Sequence, residues 1–402
     1  MAAERVPRSL RRLAERFVDR NRIELLIDGR QAFPSMLDAI GRAERVILLE
    51  MYWFDSDAIG ATFAQALCDA AARGVHVAVI YDAIGSIGAD PNMFDKMQAA
   101  GVKVLEYNPV APWKRRFRLG RLTHRDHRKI LVIDGAVGFT GGVNIADEWC
   151  PEEQEGGGWR DDMIRVEGPV VVGFVRCFAS AWKREAGPPP GFVSDELRRL
   201  ESGSPVTRQP APLSPRTSDD FGPVRVVGEA GIGGRHAMGS EYLININRAE
   251  RRVWIKNSYF VPDGRVVRAL RRAARRGVDV RVIVPGESDV PVTEWAGRHV
   301  WGGLMRSGVR IYRWTRGILH SKTAVVDGHW STIGTFNLDH LSLRTNLEVN
   351  VTVLDRGFGA RMEGAFENDL ATCVEVDARS FSFRSLGDRL LELLAYRFRK
   401  LL

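Results

Sequence analysis

Two short clusters in this chain could do chemistry on a phosphorus atom. His127-Arg128-Lys129 is followed at once by an apolar run over residues 130–133, by Asp134 and, ten residues further, by Asn144. His320-Ser321-Lys322 is followed by residues 323–326, by Asp327 and, ten residues further, by Asn337. Lysine is scarce here, 8 residues against 50 arginines, and histidine equally so at 8, which makes the same His-x-Lys frame twice a repeat rather than a coincidence. On a strand, side chains two apart share a face, so each imidazole stands beside an ammonium. The lysine offers fixed positive charge to an oxyanion. The histidine, with an ordinary pKa near ~6.5, attacks when neutral and gives up a proton when charged. One such pair would mean little. Two pairs in matching lobes can approach one phosphorus from opposite sides, the geometry of in-line displacement through a covalent phosphohistidine.

The elements that must position these clusters alternate in type. Residues 23–27, 45–54, 75–81 and 102–107 read as strands, and residues 33–40, 59–72 and 92–100 as helices. Such alternation predicts an α/β lobe whose largely parallel sheet is covered by helices on both faces. After residue 222 the pattern restarts: Arg42-Ala43-Glu44-Arg45-Val46 is echoed by Arg248-Ala249-Glu250-Arg251, and Ala72-Arg73-Gly74-Val75 by Arg275-Arg276-Gly277-Val278. Gly101-Val102-Lys103-Val104 returns as Gly308-Val309-Arg310-Ile311, so an internal duplication covers most of the chain. The 402 residues therefore divide into two lobes of roughly 150 residues each, packed with pseudo-two-fold symmetry. The boundaries expected are a basic amphipathic helix over 1–20, a first lobe over 21–186, a Pro/Ser-rich linker over 187–222, a second lobe over 223–378 and an amphipathic helix over 379–402.

A net charge of +8 and a pI near 9.5 favour polyanionic partners, nucleic acid or an anionic membrane surface. Cys68, Cys150, Cys177 and Cys373 lie too far apart for a zinc knuckle or a disulfide framework, which fits a reducing compartment. The arginine-rich opening lacks the apolar segment of a signal peptide, and no uncharged apolar run approaches the ~18 residues of a spanning helix. Membrane contact would thus be peripheral. Near the other end, Leu390, Leu394, Phe398 and Leu401 fall on one helical face and Arg389, Glu392, Arg399 and Lys400 on the other, suited either to a lipid interface or to capping the second lobe.

The full spacing, His-x-Lys-x4-Asp-x6-Gly-Gly/Ser/Thr-x-Asn, resembles the signature of the phospholipase D superfamily, intact from His127 to Asn144 and from His320 to Asn337. The second copy carries Gly334-Thr335 where the first has Gly141-Gly142, a variation the pattern admits. Glu50-Met51-Tyr52-Trp53-Phe54, Tyr81-Asp82-Ala83-Ile84-Gly85-Ser86, Arg125-Asp126 and Trp159-Arg160-Asp161 are similar to bacterial cardiolipin synthases of a short, peripheral type. That resemblance implies transfer of a phosphatidyl group from one phosphatidylglycerol to another at the cytoplasmic face of the bacterial inner membrane, with no metal and no cofactor. It implies His127, Lys129, Asp134, His320, Lys322 and Asp327 as the catalytic set, His127 attacking while His320 serves the leaving and incoming oxygens. Within it, Asp134 and Asp327 read better as anchors of the strand-turn backbone than as phosphate ligands. Lys129, Lys322, Asn144 and Asn337 would hold the non-bridging oxygens, and Asp161 and Glu348, at matching places after each motif, would hold the imidazole tautomers.

Three other readings stay open on the sequence: a phospholipase D hydrolysing phospholipid, a nuclease cutting a phosphodiester backbone, and a catalytically idle binder on the same scaffold. Trp113-Lys114-Arg115-Arg116-Phe117-Arg118 suits a rim that grips anionic headgroups or stacks on single-stranded nucleic acid, and equally a solvated loop. Pro151-Glu152-Glu153-Gln154-Glu155 reads as a surface loop rather than a calcium site, and His124 and His340 as neighbours of the motifs.

Overall fold

The β-branched runs of the first half form seven strands: β1 (Val18–Ile27), β2 (Val46–Met51), β3 (His76–Asp82), β4 (Lys103–Tyr107), β5 (Lys129–Ile133), β6 (Val137–Gly141) and β7 (Asp162–Glu167). The second half repeats the plan as β8 (Phe221–Val227), β9 (Arg252–Asn257), β10 (Asp279–Glu287), β11 (Arg310–Ile318), β12 (Lys322–Val326), β13 (Trp330–Gly334) and β14 (Asn350–Leu354), and adds β15 (Cys373–Glu375) at the edge. These come from a computed structural model that describes residues 17–203, 221–228 and 232–399.

All fifteen strands belong to one sheet, in the order β15-β11-β10-β9-β12-β13-β14-β8-β1-β7-β6-β5-β2-β3-β4. Read outward from its middle, each half runs through the same sequence of equivalent strands, so the pseudo-two-fold axis passes between β1 and β8, which pair antiparallel. The sheet is mixed, as an α/β reading requires, but parallel pairing is confined to β2-β3-β4 and β9-β10-β11. The expectation of a mostly parallel sheet is corrected by two hairpins. Asp134 and Gly135 have φ of 52° and 62°, and Asp327 and Gly328 have 54° and 64°. An Asp-Gly pair with both φ positive turns a strand straight back on itself, making β5-β6 and β12-β13 antiparallel.

Helices fill the crossovers. In the first half they are Asp28–Gly41, Ala58–Ala72 and Pro91–Ala99, and in the second Ile232–Arg248, Gly264–Arg275 and Pro291–Met305. Aspartates start several of them: Asp57, Asp90 and Asp263 each accept a backbone N–H of the first turn, and Pro91 follows Asp90 in the first helical position. Each half has its own outer core, Phe33, Phe63, Leu67 and Phe139 in one and Tyr242, Leu270, Trp301 and Ile311 in the other. A third core is common to both, where the helices Val172–Ala186 and Arg356–Leu370 bring Phe174, Phe178, Phe358 and Phe366 against Ile164, Val166, Val351 and Val353.

Several boundaries shift. Residues 1–16 of the expected N-terminal helix lie outside the described residues, and its last part, Val18 to Arg20, is strand. The stretch expected as linker holds the helix Gly191–Glu201, whose Val193 is buried in the common core and whose Glu196 pairs with Arg45 and Arg199. Phe221 already opens β8, while residues 204–220 are outside the described set. Beyond the second lobe stand the helices Ala378–Ser382 and Leu386–Arg397, and residues 400–402 are again outside it. No helix among the described residues is long and apolar enough to cross a membrane.

Candidate active site

Both His-x-Lys clusters sit where a neighbouring strand ends. Lys129 pairs with Met51 at the end of β2, and Lys322 with Asn257 at the end of β9. Each cluster is then tied to the opposite half. His127 N donates to Leu347 O at 3.0 Å and Leu347 N to Arg125 O at 2.9 Å. Equivalently, His320 N donates to Arg160 O at 2.8 Å and Arg160 N to Ile318 O at 2.9 Å. Because these bridges put each motif beside the segment that follows the other, the acids cross over. His127 Nδ1 lies 3.1 Å from Glu348 Oε2, and His320 Nδ1 lies 2.8 Å from Asp161 Oδ2. The two acids singled out in the sequence thus meet the imidazoles, each serving the histidine of the other motif. With Nδ1 engaged, Nε2 is the nitrogen left for a reactant.

Everything at this junction is buried: His127, Lys129, Asn144, Asp161, His320, Lys322 and Asn337 are all at most 8% exposed, so charges there act in a low-dielectric setting. Burial lowers the pKa of His127, with the Lys129 charge adding to it and Glu348 opposing. Burial lowers His320 further, with Lys322 adding to it. Lys129 is brought down to about 7 by burial and then by the charge of Lys322, and Lys322 to about 8 by burial. The Lys322 charge adds to the lowering of Lys129 and His127, and the charges of Lys129 and His127 to that of His320, so the two clusters act on one another across the junction of the halves.

The two sides of that junction are supported differently. Burial alone would raise Glu348, but the facing His127 and the hydroxyls of Thr335 and Ser342 outweigh it and keep the carboxyl below its ordinary value. Asp161 receives the Trp149 indole N–H at 3.0 Å and the Asp162 N–H at 2.8 Å, yet burial raises it to about 6 against the opposing Lys322 charge. The one motif difference lies here. A Cβ at Gly142 would come 2.1 Å from Asp161 Oδ1, so that position has no room for a side chain, whereas Thr335 at the equivalent place donates its hydroxyl to Glu348.

Aromatic rings wall the site. Tyr52 meets His127 edge-on at 4.8 Å between centroids, and Lys129 Nζ stands 4.9 Å over the same ring. Trp149 and Trp159 pack on His320 at 5.3 and 5.7 Å, and Tyr259 lies 6.4 Å from it with its hydroxyl donated to Asp289 Oδ2. Of these, Trp149, Tyr259 and Asp289 escaped the sequence reading. Tyr259 stands one place beyond the repeat equivalent of Tyr52, so the duplication alone does not point to it.

A buried polar layer underlies each cluster, with charge inverted between copies. Beneath the first, Arg128 Nη1 meets Glu50 Oε1 at 3.4 Å, and its Nε donates to Glu348 O at 3.2 Å. Burial and then the Glu50 charge push Asp126 well above the carboxylate range. Beneath the second, Lys256 takes the place of Glu50 and meets Asp162 at 2.6 Å and Asp369 at 2.7 Å, while Arg160 reaches Asp369 at 2.8 Å. The Arg128–Glu348, Lys256–Asp162 and Arg160–Asp369 contacts cross between the halves.

Asp134 and Asp327 are not in this cluster. They stand at the far ends of β5 and β12, roughly 16 Å of strand away from the lysines. Asp134 accepts the N–H groups of Glu44, Arg45 and Val46, and Asp327 those of Glu250, Arg251 and Arg252, so each closes its hairpin onto the entry of the next strand. Their inclusion among catalytic residues is corrected accordingly. Asn144 accepts Trp53 N at 3.1 Å and Asn337 accepts Ser258 Oγ at 2.9 Å, fixing the segments that follow β2 and β9. Residues 151–155 form a surface turn in which Glu153 pairs with Arg30.

Against known proteins, a family model described as the cardiolipin synthase, PLD-like domain matches residues 36–156 and 242–370. A probable cardiolipin synthase of Bacillus subtilis is 32% identical over 381 residues, covering 94% of this chain and 72% of its own length. A cardiolipin synthase A of Pseudomonas putida is 32% identical over 381 residues, covering 93% and 74%. Among solved structures, a phosphatidylserine synthase of Haemophilus influenzae superposes with a TM-score of 0.72 over 98% of this chain and 99% of that one, at 13% identity. A polyphosphate kinase of Porphyromonas gingivalis gives 0.55 over 94% and 52%, at 16% identity, and both likenesses speak for the fold alone.

Proposed function

The chain belongs to the cardiolipin synthase family of phospholipase D-like phosphatidyltransferases, and on that premise we propose that it joins two phosphatidylglycerol molecules into cardiolipin and glycerol through a phosphatidyl-histidine. The observation that carries the proposal is the crossed pair of Nδ1–carboxylate contacts, His127 with Glu348 and His320 with Asp161, which leaves two Nε2 atoms and two ammonium groups buried at the junction of the halves.

In the first step His127 Nε2 bonds to phosphorus as the bond to the glycerol oxygen breaks, and His320 Nε2 gives that oxygen its proton. In the second, the hydroxyl of another phosphatidylglycerol passes its proton to His320 while its oxygen attacks phosphorus and the P–N bond breaks. Roles follow the support of each ring. An imidazole backed by a firmly ionised Glu348 is the more basic one and best carries the positive charge of the adduct, whereas His320, lowered further, is the stronger acid.

Lys129 and Lys322, with the amide nitrogens of Asn144 and Asn337, would meet the non-bridging oxygens, where preorganised donors act most strongly as charge develops. An arriving phosphodiester anion also offsets the repulsion that lowers Lys129. The substrate lies in a membrane, and the chain would work there as a peripheral protein on the cytoplasmic face of the bacterial inner membrane. Incubation of pure protein with phosphatidylglycerol vesicles, and separately with single-stranded DNA, tests the reading. Diphosphatidylglycerol with free glycerol supports it; phosphatidic acid as the main product, or cut DNA, replaces it with hydrolysis or nuclease action.

A further inference from the structure

Residues 378–398 follow the second lobe, and their packing is inside out. The helix Leu386–Arg397 runs along the helix Pro291–Met305, yet the side chains it turns inward are Ala395 and Glu392. Glu392 meets Arg298 at 3.2 Å and Arg384 at 2.9 Å, and Tyr396 stacks on His299 at 4.6 Å. The leucines point the other way. Leu386 is 83% exposed, Leu390 57%, Leu394 48% and Phe398 59%, and at helical spacing they form one apolar arc with Leu391 and Leu393 beside them. A helix serving only to cover the lobe would bury that arc.

The helix also adjoins the segments that follow β9 and β10 in the second half. Ala395 packs with Ala296 and Val261, just past Tyr259, and Trp295 and Val290 are exposed beside them. In the first half, the loops after the equivalent strands β3 and β4 expose Ile87, Trp113 and Leu119, with Lys114, Arg115, Arg116 and Arg118 between the last two. We propose that the outward face of Leu386–Arg397 and these loops are one lipid-contact surface, the helix lying in the headgroup layer of an anionic bilayer and holding the active site against it. The proposal rests on the phosphatidyltransferase reading for its substrate. The basic cluster Lys114, Arg115, Arg116 and Arg118, on a chain of net charge +8, favours an anionic lipid surface as the occupant.

Two measurements on the full chain test this. The triple variant Leu386→Gln/Leu390→Gln/Leu394→Gln, and separately Trp113→Ala, are compared with wild type for cosedimentation with phosphatidylglycerol vesicles and for turnover of vesicle lipid and of a monomeric short-chain phosphatidylglycerol. The triple variant, folded by its unchanged melting temperature, should bind vesicles at least about tenfold more weakly and lose turnover of vesicle lipid in proportion, with turnover of the monomeric lipid unchanged. Trp113→Ala should move the same readouts in the same direction by less. Vesicle binding equal to wild type in the triple variant overturns the proposal, as does a wild-type dimer that the same substitutions convert to monomer. If wild type transfers no phosphatidyl group at all, the functional reading fails, but the binding comparison still decides this one.

Discussion

The two halves of the active site are copies in sequence and not in support. His127 leans on Glu348, which two hydroxyls and the imidazole itself keep ionised, while His320 leans on Asp161, which burial lifts to about 6 despite an indole and a backbone N–H donor. Duplication supplied two equivalent rings, and a symmetric reaction centre would have given them equal proton affinity. What sets them apart is a small change one residue deep, threonine in place of glycine beside the acid, and the inverted charge of the layer beneath. The proposed two-step transfer needs one ring as nucleophile and the other as acid, and under that scheme the asymmetry would assign those roles.

The severest way to break the comparison is to delete either ring. His127→Ala and His320→Ala should each lower turnover by at least ~10⁴-fold with the fold retained by circular dichroism, because the groups act as a unit; substantial activity in either single variant would end the scheme. Next come the lysines. Lys129→Met and Lys322→Met should each cost about 10²- to 10³-fold in kcat, as expected for one lost oxyanion donor. The folded protein holds Lys129 at about 7 against an ordinary 10.5, so the unfolded chain binds the extra proton between those values. Stability should therefore rise with pH across that window in wild type and rise less in Lys129→Met, as thermal melts at stepped pH would register.

Exchanging the carboxylates sharpens the contrast. Glu348→Gln removes a charge present at every working pH and should cost about a hundredfold, whereas Asp161→Asn should cost about tenfold. Since Asp161 sits at about 6, its amide variant imitates the protonated form, and the difference from wild type should shrink below pH 6 and widen above it in a kcat/KM profile. A penalty independent of pH would show that Asp161 does not titrate as described. The smallest test is the motif difference itself. Thr335→Val should lower kcat by about fivefold through the loss of one hydrogen bond to Glu348, roughly 1 kcal/mol. Gly142→Ala should weaken the His320 side alone, because its new methyl group enters the space of Asp161.

Much of this site could be read without coordinates, and the limits have identifiable causes. The histidines, lysines and asparagines stand out because their spacing is local and occurs twice, and Asp161 and Glu348 because they hold matching places after it. Which acid serves which ring could not be read, for that depends on how the halves meet. The sheet was misjudged because runs such as Ile130-Leu131-Val132-Ile133 are apolar whether their neighbours run parallel or antiparallel. The Asp-Gly pairs at 134 and 327 held the missing information, and at both sites the aspartate's backbone bonds, not phosphate contact, explain its place in the motif. The helix Gly191–Glu201 was obscured by the prolines before it, although Val193 and Leu197 fall at the spacing of a buried stripe.

The seam between β1 and β8 has a last consequence. The strand order continues through the middle of the molecule by the antiparallel pairing of β1 with β8, with an irregularity between Val18 and Asn21, so parting the halves would break the hydrogen bonds of that seam. Under the proposed scheme the sheet would then act as a gauge that sets the spacing of the two clusters, and the choice among headgroups would fall to the loops at the strand ends.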